Sequence, residues 1–219
     1  MTFALMTFAV RGPALRTLRP SRRLKAAAAA LVLSGVLAGC VSFGSKPPNE
    51  LLRLTAQEVA PAGATASAKL TDAIVVLDPE ADRGLDVTRV PVAVDATSVA
   101  YLKDAVWIEK PTRQFRSLLA ETLRARTGQL VVEGGDFEVT GKTMIGGRLL
   151  QMGYDAQKSA VIVRFDAMRT DRGSAPIQTK RFEAVVNGVP AEAKPVGAAL
   201  NQAANDVARQ VADWIKAGG

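Results

Sequence analysis

The chain has no histidine and only one cysteine among its 219 residues. Without an imidazole it cannot build a Ser-His-Asp or Cys-His pair, an HExxH zinc site or any imidazole proton relay. With a single thiol it can form neither an internal disulfide nor a multi-thiolate metal site. Acid is also missing from one region: residues 1 to 39 carry Arg11, Arg16, Arg19, Arg22, Arg23 and Lys25 and no Asp or Glu. The formal charge of +7 would suggest a nucleic-acid or membrane-surface binder. Once that segment is set aside, however, basic and acidic residues nearly balance, so no nucleic-acid partner is expected.

A long apolar run is lacking as well. Residues 26 to 38, AAAAALVLSGVLA, are uncharged, and as a helix they would cover about 20 Å against a hydrocarbon core of about 30 Å. That length suits the hydrophobic region of a secretory signal better than a spanning helix. The run ends in Leu37 and Ala38, and Gly39 and then Cys40 follow. The order of an aliphatic residue, two small residues and cysteine is similar to the lipobox of bacterial lipoproteins. In that reading a signal peptidase recognises Leu37, Ala38 and Gly39, residues 1–39 are removed, and Cys40 becomes the acylated first residue. Acylation would also account for a lone thiol in an oxidising compartment. Two or more acyl chains make the anchoring effectively permanent. Val41, where an aspartate would signal retention, points to the periplasmic face of the outer membrane.

Residues 40–49 then read as a lipidated tether, with Gly44, Pro47 and Pro48 in it, and residues 50–219 as one folded domain. A hydrophobic share of 48% beside 22% charged residues fits a packed core. Short β-branched runs at 73 to 77, 90 to 95 and 99 to 102 predict strands, and ELLRLTAQ before them predicts another. Residues 60 to 68, APAGATASA, predict a loop. Pro111 opens a helix whose Phe115, Leu118, Leu119 and Leu123 form one apolar stripe, and Gly128 closes it. Its Arg113, Arg116, Glu121, Arg124 and Arg126 predict a solvated face. Strands at 143 to 154, 160 to 168 and 179 to 186 form a meander, with Gly146 and Gly147 predicting a bulge or bend. A last helix from Pro195 to Lys216 presents Val196, Leu200, Ala203, Val207, Val211 and Trp214 inward, with Asn205, Arg209, Gln210 and Asp213 outside. The expected fold is α+β: a mainly antiparallel sheet with two helices packed on one face, preceded by a signal peptide and a short tether.

From residue 85 onward the sequence resembles the ABC-type transport auxiliary lipoproteins, the PqiC-like family. The matching order is Arg89 to Val92, Tyr101-Leu102, Ala105 to Trp107, Gly135 to Phe137 and Trp214-Ile215. The family usually has an acid soon after the tryptophan; here Ile108 intervenes before Glu109. The resemblance implies an auxiliary component, without ATPase or transferase chemistry, of a transporter that moves lipids or other hydrophobic compounds between two membranes. Its partners would be an MCE-domain protein together with a permease and an ATPase. An envelope structural lipoprotein that binds another outer-membrane protein or the cell wall is the alternative, and a homo-oligomer stays open. An envelope hydrolase built on paired carboxylates or a Ser/Lys pair needs no histidine, yet no residue here is selected for that work.

Tyr101 and Trp107 are the candidate partner-binding residues, because aromatic side chains are favoured at interface hot spots. Packing beneath the first helix is the competing role for both. Asp78, Glu80, Asp82 and Asp86 lack EF-hand spacing and read as a solvated loop. The glycine pairs Gly134-Gly135 and Gly146-Gly147 form no phosphate-binding motif. No catalytic residue, metal ligand or cofactor is expected.

Overall fold

The computed structural model describes residues 50–134, 140–173 and 176–218, all within the compact unit Pro47–Gly219. Cys40, the Leu37–Gly39 segment and the Gly135–Phe137 motif lie outside the described residues. The strands are β1 Ile74–Val76, β2 Glu80–Ala81, β3 Arg89–Ala93, β4 Val99–Val106, β5 Val131–Glu133, β6 Thr143–Asp155, β7 Ala160–Asp171 and β8 Gln178–Asn187. The helices are α1 Pro111–Thr127 and α2 Ala193–Lys216. The fold is α+β, with eight strands in one mainly antiparallel sheet. Both helices pack on the same face of that sheet: Phe115 of α1 meets Phe165 of β7 edge-on at 5.1 Å, and Trp214 of α2 meets Phe182 of β8 at 5.7 Å.

β6 organises the sheet. One of its edges pairs antiparallel with β7 along its whole length, and β7 pairs antiparallel with β8. Its other edge takes three short strands end to end: Ile74–Val76, then Glu80–Ala81, then Val92–Ala93, all parallel to it. β5 flanks β1 in parallel, and β4 folds back antiparallel on β3. β2 and β5 carry no sequence pattern that distinguishes them from loop, since a strand this short shows no alternation.

The inner face follows the period of two that a half-buried strand requires. Val161, Val163, Phe165 and Ala167 of β7 face the helices and are buried, opposite Val186, Ala184 and Phe182 of β8. In β6 the inward set begins as Ile145 and Leu149 and continues as Met152 and Tyr154. The change from odd to even positions comes from a bulge between Leu149 and Gln151. One extra residue shifts every later side chain to the opposite face. The predicted bend therefore sits at Leu150 and not at Gly146-Gly147. Gly147 instead serves close approach: at φ 134, a Cβ there would lie 2.0 Å from the carbonyl oxygen of Asp166.

ELLRLTAQ does not form a strand but a strap across the helix layer. Only Leu52 makes a β-bridge, to Trp107. Beyond it, side chains of the helices replace a neighbouring strand. The Leu54 N–H donates to Gln114 Oε1 at 2.9 Å, Thr55 N–H to Asn201 Oδ1 at 2.7 Å and Gln57 N–H to Asn205 Oδ1 at 2.8 Å. The Ala60 N–H donates to Glu121 Oε1 at 2.8 Å, and Arg126 pairs with Glu58 at 2.9 Å. Asn205, placed outside the stripe by periodicity, is thus buried at 2% exposure because the strap covers it. The arginine face of α1 also departs from a solvated surface. Arg116 reaches Asp78 at 2.8 Å and Glu133 at 3.2 Å, and Arg124 reaches Glu133 at 3.3 Å.

Candidate functional site

The two faces of the sheet differ in chemistry. Away from the helices, β6, β7 and β8 carry rows of alternating charge. Arg148, Asp166 and Arg181 lie in cross-strand register, and Asp82 pairs with Arg148 beyond β6. Arg181 grips Asp166 with two nitrogens, both at 2.6 Å, and Arg164 pairs with Glu183 in the next row. The Asp166 carboxyl is held below the usual carboxylate range by its hydrogen bonds from Arg181. Such exposed cross-strand pairs add little stability, being screened by solvent, but they leave this part of the face self-compensated.

Toward the β3–β4 hairpin the outer face changes character. The bulge turns Leu150, Gln151 and Gly153 toward a groove of about 250 Å³ that Pro91, Ala93, Val99, Gly84, Leu85 and the carboxylate of Asp82 also line. Val99 is 66% exposed. Tyr101 continues this surface. Its cross-strand partner is Pro91, and its hydroxyl donates to the Gly84 carbonyl at 3.2 Å. The Arg89 guanidinium lies 3.8 Å from the centre of the Tyr101 ring. Arg89 forms no ion pair with any described carboxylate. The site is therefore a mainly apolar slot beside an aromatic residue and a cation that no described carboxylate pairs.

The two sequence candidates part company here. Tyr101 is half-buried on the outer face, at the end of the groove. Trp107 is 1% exposed and lies in the core beside α1, so it offers no surface to a partner and its assignment as a contact residue is corrected. The parity of β4 separates them: the Asp104 backbone, at φ 57, breaks the alternation between Tyr101 and Ala105. Arg89 was missed because its role depends on a neighbour twelve positions away across a hairpin with irregular register.

The acidic residues between β1 and β3 are mostly structural. Asp78 pairs with Arg116, Asp82 with Arg148, and Asp86 with Lys110 at 2.8 Å. They do not converge, and among the described residues no group of three or more acidic or cysteine side chains could hold a metal. A larger groove of about 850 Å³ runs between the strap and α1, but its Gln114 and Glu121 already hold strap backbone.

Residues 53–212 match the model of the ABC-type transport auxiliary lipoprotein component family. The chain belongs to that family. The family's domain thus spans the strap, the whole sheet and nearly all of α2. No curated protein matches the chain. Among solved structures, a protein from Xanthomonas campestris shares the fold at TM-score 0.60 and 17% identity, covering 76% of this chain and 94% of its own. An uncharacterized protein does so at TM-score 0.58 and 11% identity, covering 76% of this chain and 99% of its own. At these identities the likeness concerns the fold. The family's description makes the protein an auxiliary lipoprotein of an ABC-type transport system.

Proposed function

We propose that the protein is a non-enzymatic lipoprotein, held to the periplasmic face of the outer membrane through an acylated Cys40, that serves an MCE-type ABC transport system. In this reading residues 1–39 are the signal peptide, cleaved after Leu37, Ala38 and Gly39, and residues 40–49 are the tether. Residues 50–219 form the domain that meets the MCE-domain protein of a transporter whose permease and ATPase supply the energy. The cargo class is lipids or other hydrophobic compounds.

The observation that carries the reading is the family match from residue 53, which begins just beyond the lipobox and tether and covers the folded domain. Tyr101, presented on the outer face beside an apolar slot, supplies a surface for contact. The test is affinity purification of the full-length protein from mildly cross-linked cells, with mass spectrometry of bait and partners. An acylated Cys40 at a new N-terminus together with a captured MCE protein is the expected result. An acylated protein bound only to cell-wall or unrelated outer-membrane components would keep the anchor and overturn the transport role.

A further inference from the structure

We propose that the outer-face groove binds one acyl chain of an anionic phospholipid, with Arg89 receiving the phosphate. The inference rests on the reading that the domain works beside a membrane. Four features lead to it. The groove is lined mainly by apolar side chains, among them Leu85, Pro91, Ala93, Val99 and Leu150, and its one carboxylate, Asp82, is neutralised by Arg148. Its volume of about 250 Å³ lies below the roughly 300 Å³ at which pockets begin to admit drug-sized molecules, so it takes part of one slender chain and leaves the rest outside. It opens on the sheet face opposite the helices, and the core residues Leu85, Met152 and Tyr154 also line it.

The end of the groove supplies the remaining feature. Tyr101 is tied to Gly84, which lines the slot, and the Arg89 guanidinium carbon lies 3.8 Å from the centre of the Tyr101 ring. Stacking fixes the guanidinium while leaving its edge donors free, and a planar fork of donors suits phosphate oxygens. No described carboxylate pairs with Arg89, whereas Arg148, Arg164 and Arg181 on the same face are all paired. A mainly apolar slot beside a cation that no described carboxylate pairs matches an anionic amphiphile. A neutral chain would leave the cation unused, and a free phosphate would leave the slot unused.

The experiment uses the full-length protein in cells. The photo-crosslinking residue p-benzoylphenylalanine replaces Val99 in the groove or, as a control, Thr179 on the same face in β8. After irradiation, mass spectrometry of the purified protein reads intact phospholipid adducts and co-captured proteins. Adducts at position 99 should exceed those at 179 by about tenfold, and Arg89→Glu should lower them about tenfold. Ala93→Trp, which fills the slot, should lower them while the protein level stays unchanged. Equal adducts at the two positions would mean mere nearness to a bilayer and would overturn the proposal. So would adducts insensitive to Arg89→Glu, or protein-only crosslinks at position 99. Phospholipid adducts without a captured MCE protein would uphold the groove while sinking the transport partner, and the reverse outcome would do the opposite.

Discussion

The Nδ2 of Asn205 in α2 donates to the carbonyl oxygen of Thr55 at 2.9 Å, while its Oδ1 accepts the Gln57 N–H at 2.8 Å. One buried amide thus pairs a donor and an acceptor on the edge of the strap that faces α2, where no strand neighbours it. The expected consequence of Asn205→Leu is a loss of about 2 kcal/mol, because a backbone donor and acceptor are left unpaired against the helix. Chemical denaturation measures the loss. Hydrogen exchange should show the Gln57 amide losing protection while β6 and β7 keep theirs; protection unchanged at Gln57 would contradict this role.

Gly147 faces the backbone of β7 at a distance no side chain can occupy. Gly147→Ala should destabilise the protein by about 3 kcal/mol, from the left-handed φ together with the overlap on Asp166. The neighbouring Gly146→Ala should cost much less, because its nearest contact would be the Leu77 side chain at 3.5 Å. Thermal unfolding of the two variants side by side reads the contrast, and equal losses would refute it.

Glu133 sets a dependence on acid. Burial pushes its pKa up, but the Ser117 hydroxyl and the guanidinium groups of Arg124 and Arg116 outweigh that effect, leaving it below the ordinary 4.5. A carboxyl whose pKa is lowered by folding stabilises the fold above its unfolded pKa, and that contribution vanishes as pH falls through the folded one. Stability should therefore decline on acidification below about pH 4.5. Glu133→Gln should remove part of this slope while lowering stability near neutrality. Denaturation midpoints across the acid range test it, and an unchanged slope would count against Glu133.

Tyr101 and Trp107 should respond oppositely to truncation. Trp107→Ala empties a core position, so a loss of about 3 to 5 kcal/mol and a lower protein level are expected. Tyr101→Ala removes a half-buried stacking partner outside the core, so it should cost about 1 kcal/mol while weakening partner or lipid capture. Measuring stability and capture on both variants separates packing from contact. Full capture by a folded Tyr101→Ala protein would remove the outer face from consideration.

The two helices, the hairpin and the three long strands were legible because each buries one face, and burial leaves a period in the residues. Phe115 and Leu118, or Val161 and Val163, announce their side by spacing alone. β2 and β5 left no such trace, being too short to alternate and held by the edges they join. The strap was misread for a related reason: ELLRLTAQ is extended, but its partners are the side chains of Gln114, Asn201 and Asn205, distant in sequence. That same cover placed Asn205 inside when its helical position placed it outside. Of the candidate site, Tyr101 was legible as an aromatic residue in a strand. The groove was not, since it arises from the parity change at Leu150 meeting the β3–β4 hairpin, a relationship between separate segments.

The arrangement of β1, β2 and β3 along a single edge of β6 bears on timing. Each of these early strands takes its place from a strand that does not end until Asp155. A chain emerging from its N-terminus can form the β3–β4 hairpin, but it has no sheet to dock on through its first two thirds. Contacts of such long sequence separation slow folding. The template for the leading strands thus appears only after about two thirds of the chain, and under the proposed reading of residues 1–39 as an export signal that order keeps the leading end threadable.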